Sequence, residues 1–165
     1  MVRVGILTVS DRGARGERED AAGPLLAQLA EGAGHRVAAR ALVPDEREEI
    51  AAVLREWADS GRCEVILTTG GTGLTPRDVT PEATLAVGER QVPGLMVALV
   101  QSGLAKTPFA ALTRGVAVTR GRTLIVNLPG SPKAAAEGME VLLPLLEHIG
   151  ELLRGPVEHG VGDAG

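Results

Sequence analysis

The sequence predicts an α/β fold with three layers, in which helices cover both faces of a doubly wound, mostly parallel sheet. Three observations support it. Short aliphatic and β-branched runs alternate with longer segments of helical periodicity. A buried-strand pattern at residues 65–68 leads directly into a glycine turn. Two short strand patterns flank Arg120-Gly121, which predicts a small hairpin element and one antiparallel strand. We expect one domain at residues 1–154 and a flexible tail at 155–165.

The first half of the chain predicts two further strands, each followed by a helix. Leu25, Leu26, Leu29 and Ala30 recur at helical spacing. Asp45 and Glu48 have the spacing of a helix cap and its return partner. In chain order, the predicted elements are a strand at 2–9, a polar loop at 13–20, a helix that ends at Gly32 and Gly34, a strand at 37–43 and a helix from Asp45 to Gly61.

The second half predicts three helices and the hairpin. Thr80 is a plausible helix cap, because Pro81 then occupies the first helical position. Pro93 and Gly94 begin another helix, whose apolar side carries Met96, Leu99, Val100 and Leu104. In chain order, the predicted elements are a short helix at 83–87, the helix after Pro93, strands at 116–119 and 123–127, and a long helix at 134–153.

Composition limits the classes of function. The chain has 165 residues, a net charge of −4, and only Trp57 and Phe109 as aromatic residues. It therefore lacks the aromatic platform that single-stranded nucleic-acid binders use. A single cysteine, Cys63, excludes an intrachain disulfide and fits a reducing compartment. With no signal-peptide pattern and no long apolar run, we predict a cytoplasmic protein without a nucleic-acid or membrane partner.

The segment Gly70-Gly71-Thr72-Gly73 is the first candidate for binding an anion. Glycines allow close backbone approach, and Arg77 and Asp78 follow within a few residues. Exposed N–H groups and a guanidinium suit an oxyanion, while a carboxylate suits the metal that accompanies phosphate. The segment is neither a Walker loop nor a dinucleotide fingerprint. The structural alternative is a tight connection with no ligand.

Polar residues follow several predicted strands, and the carboxyl ends of parallel strands share one edge of a sheet. We therefore expect four segments to converge: Ser10-Asp11-Arg12, Asp45, residues 70–78 and residues 127–133. Asp45 could be only a helix cap, Asp11 could cap a turn, and the last segment could be an ordinary turn. The histidines, at 35, 148 and 159, are scattered and form no metal triad. Carboxylates facing a phosphate loop suit magnesium-assisted phosphoryl or nucleotidyl transfer.

Six motifs, in this order, resemble the molybdopterin adenylyltransferase family, which includes the bacterial MogA and MoaB proteins and the G domain of gephyrin. They are TVSDR, VPDE, TTGGTGLTPRDVTPEAT, the PG at 93–94, LTR at 112–114 and NLPGSPK. The resemblance extends from about residue 4 to residue 153. It implies a homotrimer of doubly wound α/β subunits. It also implies that ATP, with Mg²⁺, adenylylates the terminal phosphate of molybdopterin and releases pyrophosphate, a step of molybdenum cofactor synthesis. Hand-over of the product to the metal-insertion enzyme would follow.

The same resemblance implies roles for individual residues. Asp45 and Asp78 match the two catalytic acids and are the expected Mg²⁺ ligands. The matching nucleotide- and phosphate-contacting residues are Gly70, Gly71, Thr72 and Gly73. The residues expected to hold the pterin and its phosphate are Ser10, Asp11, Ser131, Pro132 and Lys133, with assistance from Arg114. The other expected members of the substrate and nucleotide site are Asn127, Pro129 and Gly130.

Two departures from the family pattern concern hydroxyl groups. Ala22 replaces the usual serine, and Thr113 replaces a serine before Arg114. Because the chain keeps Asp45 and Arg77, the resemblance favours an active, MogA-like enzyme. The alternatives are a non-catalytic, MoaB-like molybdopterin-binding or scaffolding protein, and a nucleotide hydrolase of the competence-damage type. The sequence separates neither the MogA and MoaB branches nor molybdenum from tungsten.

Overall fold

The computed structural model of the protein describes residues 1–155. Its strands are β1 (Arg3–Val9), β2 (Arg36–Val43), β3 (Val65–Thr69), β4 (Arg90–Gln91), β5 (Ala117–Arg120) and β6 (Thr123–Leu128). Its α-helices are α1 (Asp11–Ala14), α2 (Ala22–Gly32), α3 (Arg47–Asp59), α4 (Thr80–Val87), α5 (Pro93–Leu104), α6 (Pro132–Leu142) and α7 (Leu146–Leu153). Short 3₁₀ helices occupy Pro108–Leu112 and Leu143–Leu145.

The strands form one six-stranded sheet in the order β2-β1-β3-β6-β5-β4. The pairs β1–β2, β1–β3 and β3–β6 are parallel, while β5 runs antiparallel to both β6 and β4. The sheet and its hairpin confirm the predicted topology. Strand β4 was not predicted, because its two exposed polar residues carry no strand pattern.

Helices cover both faces, because consecutive strand residues point to opposite sides of the sheet. Ile6 belongs to an apolar cluster with residues of α2, α6 and α7, whereas the adjacent Leu7 belongs to a cluster with residues of α3 and α4. Both faces of the central strands are buried, which explains their nearly continuous apolar sequence. The three-layer prediction is confirmed.

Two element predictions were wrong. The long helix predicted for residues 134–153 is divided into α6 and α7 by the 3₁₀ helix around Pro144, which lacks an N–H and crowds the preceding turn. The polar loop predicted for residues 13–20 starts inside α1, whose N-cap Ser10 accepts a hydrogen bond from the Gly13 N–H at 3.0 Å. Of the tail predicted at 155–165, only Gly155 lies within the described residues. None of the described helices is both long and apolar enough to cross a membrane.

Candidate active site

A cleft of about 740 Å³ opens at the carboxyl ends of β1 and β3. The chain order of the sheet reverses between these strands, and open α/β sheets bind ligands at such a switch point. The structure brings together, around this cleft, the predicted residues Ser10, Asp11, Asp45, Gly70, Gly71, Asp78, Gly130, Ser131 and Pro132.

The backbone N–H groups of Asp11 and Asp45 each bind the carboxylate of the other residue. The Asp11 N–H donates to Asp45 Oδ2 at 2.9 Å, and the Asp45 N–H donates to Asp11 Oδ1 at 2.9 Å. The predicted helix cap at Asp45 is therefore wrong: the N-cap of α3 is Glu46, and no side chain caps it. The Asp45 carboxylate faces the cleft instead.

The surroundings of Asp45 raise its pKa. Burial is the largest cause, the hydrogen bond from Asp11 opposes it, and the negative charges of Asp11 and Asp78 raise the pKa further. Asp45 and Asp78 both line the cleft and lie against the glycine turn: a Cβ on Gly71 would lie 3.1 Å from Asp45 Oδ1, and a Cβ on Gly73 would lie 2.9 Å from Asp78 Oδ2. A divalent cation bound by both carboxylates would relieve the repulsion between their charges. Within residues 1–155 no cluster of three or more His, Cys, Asp or Glu could hold a metal alone. The two acids fit Mg²⁺, which usually takes one or two carboxylates together with phosphate oxygens and waters.

The glycine turn passes too close to its neighbours to carry side chains. Gly70 and Gly71 have φ of +103° and +71°. A Cβ on Gly70 would lie 2.2 Å from the Val9 carbonyl oxygen. The Thr80 hydroxyl donates to the Gly70 carbonyl at 2.9 Å, so the predicted helix cap at Thr80 is wrong and Val79 holds the cap position. Gly71 lines the cleft, and within residues 1–155 its N–H has no acceptor, so this N–H is available to a bound anion.

The loop after the glycine turn carries Asp78 and Arg77. Asp78 Oδ2 accepts from the N–H and the hydroxyl of Thr75, at 3.1 and 2.8 Å. The Arg77 guanidinium donates to both oxygens of Asp11, at 3.0 and 3.1 Å, and to Glu46 at 2.8 Å. Its hydrogen bond is the main reason why the pKa of Asp11 is lowered. The Arg77 guanidinium is bound by the carboxylates of Asp11 and Glu46, and its binding of an oxyanion ligand stays a prediction.

Arg114 lines neither this cleft nor the second cavity described below. Its Nε donates to the Gly73 carbonyl at 2.8 Å, its Nη2 donates to the Asp78 carbonyl at 2.7 Å, and its Nη1 pairs with Glu82. Sequence reasoning missed Glu82, which looked only like an acid in the first turn of a helix. Glu82 and Arg114 are far apart in the sequence, so no local pattern predicted that they form an ion pair.

A second, apolar cavity of about 310 Å³ lies on the other side of the glycine turn. Its apolar walls include Met96, Leu99, Phe109 and Leu128. The predicted residues that line it are Thr72, Gly73, Asn127 and Pro129. Sequence reasoning did not anticipate this cavity, because α5 and the 3₁₀ helix that form one wall carry no polar motif.

Two predicted site residues, Asn127 and Lys133, lie outside the polar cleft, the first buried and the second exposed. The buried Asn127 amide donates to the hydroxyls of Thr68 and Thr84, at 3.0 and 2.9 Å, and its oxygen accepts from the Val116 N–H at 3.0 Å. These bonds join β3, α4 and β6 and leave the side chain committed to the fold. Lys133 is exposed at the start of α6, lines neither cavity and forms no hydrogen bond or ion pair within the described residues.

A glycine turn and two carboxylates line a cleft at the switch point of a doubly wound sheet, which is where open α/β sheets bind ligands, and an apolar cavity lies beside it. Comparison with known proteins identifies the domain further. Residues 5–148 match the family described as probable molybdopterin binding domain. The chain belongs to this family of molybdenum cofactor biosynthesis proteins, which confirms the resemblance of the sequence motifs.

Relatives support the assignment over most of the chain. A crystal structure of the molybdopterin biosynthesis enzyme MoaB from Thermus thermophilus is 56% identical, with a TM-score of 0.88, and the match covers 94% of this chain and 98% of that one. The molybdopterin adenylyltransferase of Haemophilus influenzae is 43% identical over 85% of this chain and 72% of its own length. The Drosophila melanogaster molybdenum cofactor synthesis protein cinnamon is 42% identical over 92% of this chain, which spans only 26% of that longer protein.

Proposed function

We propose that this protein is a molybdopterin adenylyltransferase that transfers AMP from ATP to the terminal phosphate of molybdopterin and releases pyrophosphate. The observation that carries the proposal is the meeting of Asp45 and Asp78 with Gly70 and Gly71 around one cleft. The 43% identity to a molybdopterin adenylyltransferase supports the same activity. The proposed place of action is the cytoplasm.

The reaction needs positioning and charge neutralisation more than covalent help from the protein. An oxygen of the molybdopterin phosphate attacks the α-phosphorus of ATP, and a new P–O bond forms. The bond between the α-phosphorus and the bridging oxygen breaks, and pyrophosphate leaves with the electron pair. The Gly71 N–H would stabilise negative charge on the phosphates. Lys133 directly follows the cleft residues Ser131 and Pro132, and its ammonium would add positive charge once its side chain turns towards the bound phosphates.

Asp45 and Asp78 are the residues that would hold the magnesium that accompanies ATP. Bound there, Mg²⁺ supplies positive charge against the phosphate oxygens. Asp45 is held by the Asp11 N–H, and Asp78 is held by Thr75. Both carboxylates are thereby oriented by the protein itself.

Two substrates need room for two ring systems as well as for phosphates. The polar cleft suits the phosphates, because the glycine turn, Ser10 and Ser131 line it. The apolar cavity suits a flat ring from one of the substrates, and its walls share the glycine turn with the cleft. This arrangement would place the reacting phosphates on one side of the turn and a ring on the other.

The test is an assay of AMP transfer from α-labelled ATP to molybdopterin. We expect transfer by the unchanged protein and a loss of about 100-fold or more in Asp78→Asn, on the scale of removing one electrostatic group from an active site. The amide keeps an oxygen for the Thr75 hydrogen bonds but loses the charge, so molybdopterin binding should persist. Asp59→Asn is the matched control, because Asp59 pairs with Arg120 and lines neither cavity.

The outcomes separate the alternatives. Retained turnover in Asp78→Asn would remove Asp78 from the mechanism. Binding of molybdopterin without any AMP transfer by the unchanged protein would instead support the non-catalytic, binding-only alternative.

Assembly into a homotrimer and hand-over of the product to a metal-insertion enzyme belong to the same proposal. Helix α5 contains no charged residue and no buried residue, and Val97 and Leu104 are exposed on it. Exposed Phe109 and Leu112 follow in the 3₁₀ helix. Such a cluster of apolar side chains supports association between subunits. Light scattering on the purified protein would give the number of subunits.

A further inference from the structure

We propose that Arg114 and Glu82 form a positioning pair that holds the loop at residues 73–78, and with it Asp78, in the geometry that adenylyl transfer requires. The inference rests on the proposed function. The sequence predicted that Arg114 contacts a substrate, whereas here its role is to position Asp78.

Arg114 fastens the loop at both of its ends. Its guanidinium donates to the Gly73 carbonyl at 2.8 Å and to the Asp78 carbonyl at 2.7 Å. Its own N–H donates to the Thr72 carbonyl at 2.9 Å. Between these points residues 74–77 are all exposed, and the contacts of the loop with the rest of the protein there are the ion pairs of Arg77 with Asp11 and Glu46. The side chain of Arg114 is the contact that joins the two ends of the loop, because one guanidinium binds the carbonyls of both Gly73 and Asp78.

Glu82 fixes the direction of the guanidinium. It pairs with Arg114 Nη1 from the first turn of α4, so that Nε and Nη2 face the two loop carbonyls. Its second carboxylate oxygen is buried and has no hydrogen-bond partner within the described residues, so Arg114 is its only strong partner there. Burial raises the pKa of Glu82, but the hydrogen bond from Arg114, a backbone hydrogen bond and the nearby positive charges of Arg114 and Arg47 together lower it, and the net direction is downward.

The position of the Asp78 carboxylate follows from the position of the loop. The Asp78 carboxylate is bound by Thr75, which lies inside the same loop, and the Asp78 N–H donates to the Thr75 carbonyl at 3.0 Å. Asp78 and Thr75 thus move as one unit when the loop moves. A displacement of about 1 Å at a catalytic group can cost about 100-fold in rate. Lysine cannot replace Arg114, because one ammonium cannot span a carboxylate and two separate carbonyls in a planar array.

The experiment compares Arg114→Lys and Glu82→Gln with Arg120→Lys in the full-length protein. Arg120 is a matched control: it pairs with Asp59 at 2.9 and 3.0 Å, donates to the Val87 carbonyl at 2.9 Å, and lines neither cavity. We expect Arg114→Lys to lower kcat about 100-fold and to raise the Mg²⁺ concentration needed for half-maximal rate. KM for molybdopterin should change less than twofold. Glu82→Gln should lower kcat about 10-fold, since the two carbonyl contacts can persist.

A second readout does not depend on turnover. Binding of Mn²⁺ in the presence of ATP, followed by electron paramagnetic resonance, should be weaker in Arg114→Lys than in Arg120→Lys. A merely structural pair would lower the melting temperature of both arginine variants without changing the metal dependence of the folded protein. Equal kcat and equal metal dependence in Arg114→Lys and Arg120→Lys would overturn the inference.

The two proposals fail separately. If the unchanged protein transfers no AMP, the proposed function fails, and the Mn²⁺ measurement alone decides whether the pair positions Asp78. If Arg114→Lys does not fold, Glu82→Gln decides, because its carboxamide keeps the shape of the side chain. Unchanged kcat and unchanged Mn²⁺ binding in Glu82→Gln would then exclude a positioning role for the pair.

Discussion

Gly70→Ala tests how tightly the glycine turn is packed against β1. The alanine Cβ would lie 2.2 Å from the Val9 carbonyl oxygen, and Gly70 has a φ of +103°. Strand β1 cannot retreat easily, because it is paired with β2 and β3 along its length. The positive φ costs about 1–2 kcal/mol for a residue with a side chain. Overpacking adds about 1–3 kcal/mol. We expect Gly70→Ala to lower the free energy of unfolding by roughly 2–5 kcal/mol in total.

Urea denaturation followed by fluorescence of Trp57 measures this loss, since Trp57 is the only tryptophan and is buried. Gly61→Ala is the control, because Gly61 has a φ of +73° but no atom within 4 Å of an added Cβ. It should lose only the backbone contribution of about 1–2 kcal/mol. All variants are compared at one protein concentration, so that association affects them equally. Equal losses in the two variants would refute the close packing of Gly70 against Val9.

Three further predictions concern titrating groups. The raised pKa of Asp45 means that the native state binds this proton more tightly than the unfolded chain, so the protein loses stability as the pH rises from about 4 through that pKa. Asp45→Asn should therefore be the more stable protein at pH 8 in urea denaturation, with an advantage that shrinks at pH 4; an advantage that grows at pH 4 would contradict this. Arg77→Ala should raise the pKa of Asp11 towards its ordinary value in a carboxyl NMR titration, because Arg77 is the main cause of the lowering. Burial raises the pKa of the Cys63 thiol to about 11, so a thiol reagent at pH 8 should modify Cys63 only after unfolding.

The sequence predicted the sheet and the convergence of loops at one edge, because both depend on local patterns. Aliphatic runs mark strands that are buried on both faces, and parallel strands end at the same edge. Proline interrupts helices, so Pro144 was a signal for a break. The apolar periodicity on both sides of it favoured one continuous helix instead, and the break was missed. Strand β4 was not readable, because two exposed polar residues carry no pattern.

The contacts between distant residues could not be predicted, because they depend on strand register and loop path. Val9 of β1 pairs with Val43 of β2, and the Ser10 N–H donates to the Val43 carbonyl at 2.9 Å. Because of this register, the loops that follow β1 and β2 begin next to each other, which places Asp11 beside Asp45. A shift of one residue would separate them, and nothing in either segment alone specifies the register. The local sequence suggested that Asp45 caps a helix, but in the structure its carboxylate accepts a hydrogen bond from the Asp11 N–H.

The two acids of the proposed active site are supported in different ways. Asp45 lies in the short loop between β2 and α3, where the backbone of Asp11 binds its carboxylate and burial raises its pKa. Asp78 lies in an exposed loop, where Thr75 orients its carboxylate and Arg114 holds its carbonyl. A single substitution outside both cavities, at Arg114, can therefore move Asp78. Both acids must bind the same metal and phosphates, and the contacts of Arg114 with the Gly73 and Asp78 carbonyls are what keep Asp78 in reach of them.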